Sequence, residues 1–194
     1  MIYNKIAIVV FISFLFGCSK KFEKADLYVN KLVYLKKDST LFTGTLMVNS
    51  DASYYYMNFC NGIPCGEWSE NENNGGVVNK GNYLNKTILS EATQNLIGID
   101  TFLINYWQES ELPTIKYPPF FTLIILKDDA FFQSDKNQYD DYIKQLANAV
   151  LNDTRNLKYD YLKITFVNAV HDWSKDYSKE YKVEGGKLQE TSSE

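Results

Sequence analysis

From residue 27 onward, short runs of apolar and aromatic residues alternate with polar ones and are broken by turn-forming clusters, a period that suits half-buried strands. Leu27 to Leu35 reads as one strand, followed by a polar turn at Lys36-Lys37-Asp38-Ser39-Thr40. Leu41 to Val48 predicts a second strand, in which Gly44 marks a bend or a close backbone approach. Asn49-Ser50-Asp51 is a turn and Tyr54 to Cys60 a third strand. Asn61-Gly62, a pair that tolerates positive φ, predicts a hairpin into a fourth strand around Cys65 to Ser69. Asn71 to Asn82, with five Asn and three Gly, predicts an exposed loop.

The pattern then changes. Thr87 to Ile97 fits a short helix capped by Ser90, and Phe102, Ile104 and Tyr106 alternate as a strand does. Pro113 to Pro119 is a loop, and the unbroken apolar run Phe120 to Leu126 predicts a central strand. Asp135 to Leu151 is the clearest helix: Asp135 and Gln138 have capping-box spacing, and Tyr139, Ile143, Leu146, Ala147, Val150 and Leu151 share one face. Tyr159 to Val170 follows as a long strand, and Tyr177 to Val183 pairs back across the His171-Asp172-Trp173-Ser174 connection. An antiparallel β-meander first half and a strand-helix-strand-strand second half define an α+β class. Glu184 to Glu194, whose sole apolar residue is Leu188, reads as a disordered tail.

Composition adds 15 Tyr, 12 Phe and 3 Trp, aromatic residues that favour a pleated, half-buried surface. The first 17 residues differ from the rest. Lys5 precedes eleven uncharged residues, Ile6 to Phe16, too few for the ~20 that cross a bilayer as a helix. A basic start, a short apolar stretch and a small residue at the end make a cleaved export signal. Leu15-Phe16-Gly17-Cys18 resembles the lipobox of bacterial lipoproteins, although Phe16 is bulkier than the residue most lipoboxes carry there. The resemblance implies cleavage before Cys18 and acylation of that cysteine. The mature chain would then be anchored in the cell envelope by its lipid, facing the periplasm or the cell surface. Four regions result: signal 1–17, lipidated tether 18–26, one α+β domain 27–183 with a sub-boundary near 86–100, and tail 184–194. Without residues 1–17 the chain holds 19 basic and 24 acidic residues, because Lys5 is the only charge removed. That balance disfavours nucleic acid, whose phosphates call for clustered positive charge.

Phe42-Thr43-Gly44, followed by Asn61-Gly62 and Gly66-Glu67-Trp68, resembles the MORN-variant repeat of bacterial lipoproteins, over residues 27–85 at most and in a single copy. Some members of that family act as antitoxin or immunity components. Cys60 and Cys65 flank the Asn-Gly turn and are expected to oppose each other across the hairpin as a structural disulfide, with free core thiols as the alternative.

Candidate chemistry is sparse. His171 is the only histidine, and since adjacent residues on a strand point to opposite faces, it and its neighbour Asp172 are poor candidates for an acid–base pair. No serine sits in a Gly-x-Ser-x-Gly context, and neither Asp128-Asp129 nor Asp140-Asp141 has calcium-loop spacing. No catalytic residue, metal or cofactor is therefore expected. Tyr54, Tyr55, Tyr56 and Trp68 are the candidate binding residues, since tyrosine joins apolar area to a polar tip. The sequence points to a lipid-anchored envelope module that binds a protein or glycan. Two alternatives remain: an immunity-type lipoprotein that neutralises a toxin, and a small periplasmic hydrolase. Anchoring is testable directly: the mature chain should partition with the detergent phase, and Cys18→Ala should release it or leave it uncleaved. Wild-type protein that still carries Met1 would refute the processing.

Overall fold

The computed structural model describes residues 21–23, 26–49, 53–98, 102–107, 118–169 and 172–191; Cys18 and His171 lie outside the described residues. Among the described residues, twelve strands and three α-helices form an α+β fold. The strands are β1 (Lys21–Glu23), β2 (Leu27–Asn30), β3 (Leu32–Leu35), β4 (Gly44–Asn49), β5 (Ser53–Cys60) and β6 (Ile63–Glu72). They continue as β7 (Val77–Leu84), β8 (Phe102–Trp107), β9 (Phe120–Leu126), β10 (Tyr161–Ala169), β11 (Asp172–Glu184) and β12 (Lys187–Glu190). The helices are α1 (Glu91–Ile97), α2 (Asp129–Gln133) and α3 (Asp140–Asp153). Ten strands make one sheet in the order β1-β4-β5-β6-β7-β8-β9-β10-β11-β12, and β2-β3 form a separate hairpin. Among the described residues, only β1-β4 and β9-β10 pair in parallel, the latter joined through α2 and α3.

Strands β8 to β10 are buried on both faces, which explains their continuous apolar sequence. Phe102, Ile104, Phe121, Leu123, Ile125, Leu162, Ile164 and Phe166 meet the apolar stripe of α3, Ile143, Leu146, Ala147, Val150 and Leu151. The alternate residues Leu103, Ile124 and Val167 face the other way and pack with Leu27 and Val33 of the β2-β3 hairpin and with Phe42, Leu46 and Phe59. Helices therefore cover one face of the central strands, and the hairpin covers part of the other. Ser90 caps α1, and its amide and hydroxyl both donate to Asp153 Oδ2 at the end of α3, at 2.8 and 3.0 Å.

The hairpin-side core is closed by a ring of backbone hydrogen bonds. Gly62 N donates to Phe42 O at 2.7 Å, Val33 N to Gly62 O at 3.0 Å, and Phe42 N to Val33 O at 2.9 Å. Asn61 N donates to the Thr43 hydroxyl at 2.9 Å, and the Phe42 and Phe59 rings lie 5.4 Å apart. Phe42, Thr43, Asn61 and Gly62 thus meet at one corner. Cys60 and Cys65 form a disulfide beneath that tip, with Cα atoms 5.8 Å apart. The expectation that they lie directly opposite fails: Cys60 faces Ile63 and Phe59 faces Pro64, because the turn is the two residues Asn61-Gly62, which leaves Cys65 two positions beyond the partner of Cys60.

Five other expectations change. Residues 21–23, assigned to the tether 18–26, form β1, because their backbone pairs in parallel with β4. Leu27–Leu35 is two strands, because Lys31 takes φ 59° and folds the segment back on itself. Asn71–Asn82 is a hairpin, with β6 running to Glu72 and β7 starting at Val77. Asn71 and Asn79 are buried within it, so an asparagine-rich composition does not mark a loop when the side chains find partners in the sheet. The helix expected over Asp135–Leu151 begins as a 3-10 turn at Lys136–Tyr139, which Asp135 caps, and becomes α-helical at Asp140. The supposed tail is the edge strand β12, returned by Gly185-Gly186 and held by Leu188 against the helix-side core.

Gly62 should be the least replaceable glycine. Its φ is +75°, and a Cβ there would stand 2.7 Å from Val33 O, whereas Gly66 (φ +65°) has nothing within 4 Å. Both Ala variants incur the left-handed cost of ~1–2 kcal/mol. Gly62→Ala should lose clearly more than Gly66→Ala in urea unfolding, because the backbone ring must also open. Equal losses would contradict the corner described.

Candidate functional site

Helices α1 to α3 come after β7 in the chain, and their core lies over β8 to β11. On the same side of the sheet, the earlier strands form a groove of about 560 Å³ lined by polar side chains from β4 to β7. Its volume lies within the ~300–1,000 Å³ typical of small-molecule sites.

Register fixes the lining. Directly opposed residues share a face, so Tyr56, Ser69 and Lys80 form one rung, and Glu67 and Asn82 the next, with Thr45 and Asn58 continuing it on β4 and β5. Neighbouring strands are ~4.8 Å apart and alternate residues on a strand ~7 Å apart, which sets the groove's polar groups on a grid. The Thr45 hydroxyl donates to Asn58 Oδ1 at 2.7 Å, and Asn58 Nδ2 donates to Glu67 O at 3.0 Å, bridging the bulge where the ladder is interrupted. Asn71 Nδ2 donates to the Ser69 hydroxyl oxygen at 3.0 Å. That leaves the Ser69 proton to point elsewhere. Glu67 is exposed, while Tyr56, Lys80 and Asn82 are half-buried.

The candidate residues Tyr54, Tyr55, Tyr56 and Trp68 do not come together. Tyr54 and Tyr56 share the groove face and meet edge-on at 5.2 Å. Tyr55 lies on the opposite face, where its hydroxyl donates to Glu70 Oε1 at 2.6 Å while Asn79 Nδ2 donates to Glu70 Oε2 at 2.6 Å. That bond to Glu70, with burial and the carboxylate's charge, pushes the Tyr55 pKa up. Trp68 contributes to the groove's lining, but its indole lies across Gly81, where a Cβ would stand 2.6 Å from the ring, and Nε1 donates to Asn105 Oδ1 at 2.9 Å. On that opposite face it heads an aromatic row that runs through Trp107, Phe120 and Tyr161, at centroid spacings of 5.7, 6.2 and 5.0 Å.

Sequence reasoning missed Asn58, Glu67, Lys80 and Asn82. Lys80 and Asn82 were hidden in the segment assigned to a loop; the signal was Val77-Val78 opening a run that ends in Tyr83-Leu84. Among the described residues, no group of three or more His, Cys, Asp or Glu side chains is placed to hold a metal, and no helix is long and apolar enough to cross a membrane. Compared with known proteins, the chain matches no family model, no curated protein and no solved structure.

Two tyrosines outside the groove, one in each core, set an alkaline limit for the fold. Burial raises Tyr83 and Tyr181 from 10.0 to about 12. A raised folded pKa means that the unfolded chain loses protons first. The stability is therefore whole below pH 10 and is lost as pH climbs towards 12. Urea midpoints should hold steady from pH 8 to ~10 and then fall, with Tyr83→Phe falling less steeply. A flat profile to pH 12 would contradict this.

Proposed function

We propose that this protein is a lipid-anchored cell-envelope module that works by binding, with the groove over β4 to β7 as its recognition surface. The observation that carries the reading is the concentration of hydroxyl, carboxamide, carboxylate and ammonium groups on successive rungs of one sheet face. Strand pairing on both sides of β4 to β7 holds these groups in place before any ligand arrives. Preorganisation of that kind lowers the entropic cost of association. The lipobox-like Leu15-Phe16-Gly17-Cys18 supports the anchor, and residues 19 and 20 would link the lipid to β1. Acylation of Cys18 would contribute ~0.8 kcal/mol per buried CH₂, and more than one chain is needed for a stable hold.

The test is complementation of a deletion strain with variants matched for expression. Glu67→Arg combined with Asn82→Arg fills the groove with bulky cations and should perform as badly as the deletion while remaining membrane-bound. Lys144→Ala, on the exposed face of α3, should behave as wild type. Wild-type performance of the groove variant would remove the groove from the function.

A further inference from the structure

The groove's chemistry narrows its ligand. Glu67 and Asn82 are paired across β6 and β7 and both line the groove. A carboxylate offers acceptors only, whereas a carboxamide offers both a donor and an acceptor. Side by side, ~5 Å apart, they match adjacent hydroxyl groups, each of which donates and accepts. One rung along, the Ser69 hydroxyl is committed as an acceptor to Asn71 and offers its own proton. Tyr56 supplies a ring on the same face, its orientation fixed by edge contact with Tyr54.

Other ligand classes fit less well. A peptide that adds as a strand needs an unpaired sheet edge, and β4 to β7 are paired on both sides. Charge does not favour an ion of either sign, since Glu67 and Lys80 stand on neighbouring rungs and oppose each other's field. An apolar ligand would strip water from hydroxyls and amides without replacing their hydrogen bonds, at a cost of ~1–3 kcal/mol per group.

We propose that the groove binds a neutral oligosaccharide, with Glu67 and Asn82 holding adjacent ring hydroxyls, Ser69 donating to a third oxygen, and Tyr56 lying against the sugar's C–H face. This rests on the reading of the groove as the binding surface.

The full-length protein in detergent micelles is screened on an array of neutral glycans that spans hexose, N-acetylhexosamine, deoxyhexose and pentose units. Hits are titrated calorimetrically. At least one neutral glycan should bind, with an affinity unchanged between ~0.05 and ~0.5 M NaCl because no charged pair is screened. Tyr56→Ala, Glu67→Gln and Asn82→Ala, each retaining the wild-type thermal transition, should weaken it about tenfold or more, which is ~1.4 kcal/mol each. Lys144→Ala should leave it unchanged. Silence across the whole array overturns the proposal, as does a hit whose affinity the three groove variants do not alter. If the array is silent but the Glu67→Arg, Asn82→Arg variant still fails in complementation, the groove keeps its role and only the ligand class falls. If that variant also complements normally, both readings fall.

Discussion

The seating of the Asn61–Gly62 tip against Val33 and Phe42 is the constraint on which the rest of the structure depends. Three backbone hydrogen bonds tie β3, the Phe42 segment and the β5-β6 turn into one ring. Each bond contributes only ~1 kcal/mol net. Their common position matters more than their sum, because they hold the β2-β3 hairpin, and with it Leu27 and Val33, over Leu103, Ile124 and Val167. Without that cover, three of the central sheet's apolar residues would face water. The Cys60–Cys65 disulfide closes so short a loop that its entropic contribution sits at the low end of ~2–4 kcal/mol. Its clearer role is to pin the tip whose backbone completes the ring.

The same architecture explains why one end of the sheet is free for recognition. The three α-helices of the described residues fall between β7 and β10 in the chain, and their apolar stripes pack on β8 to β11. Strands β4 to β7 precede them and carry polar rungs on the helix side, where burial would leave amides and hydroxyls to be satisfied one by one. The division between covered and open sheet follows from the order of elements and the distribution of apolar residues.

The groove draws its rigidity from neighbouring pairs rather than from a dedicated support. Asn58 shows this most clearly: it accepts from Thr45 and donates to the Glu67 carbonyl, so one side chain repairs the ladder at the bulge and fixes the strand that presents Glu67. Trp68 and Gly81 do the equivalent on the reverse face, where the indole occupies the space that a Cβ would take.

Much of this was legible in the sequence. The apolar stripe of α3, the unbroken run of β9, the Asn-Gly hairpin and the Ser90 cap each depend on residues close together in the chain, and each lies where its local pattern puts it. Local pattern also settled that Tyr54 and Tyr56 share a face that Tyr55 does not. It failed where a residue's environment depends on the sheet being formed. The asparagines of β6 and β7 resemble a loop until Ser69 and Glu70 appear beside them as partners, and Gly185-Gly186 resembles a frayed end until Leu188 finds the core. Glu67 and Asn82 became a site only through cross-strand register, which pairs residues far apart in the chain. Sequence alone determined the elements, because helix and strand periods are local properties. Only tertiary structure decided which polar residues face one another, because register is set by the burial of whole strands.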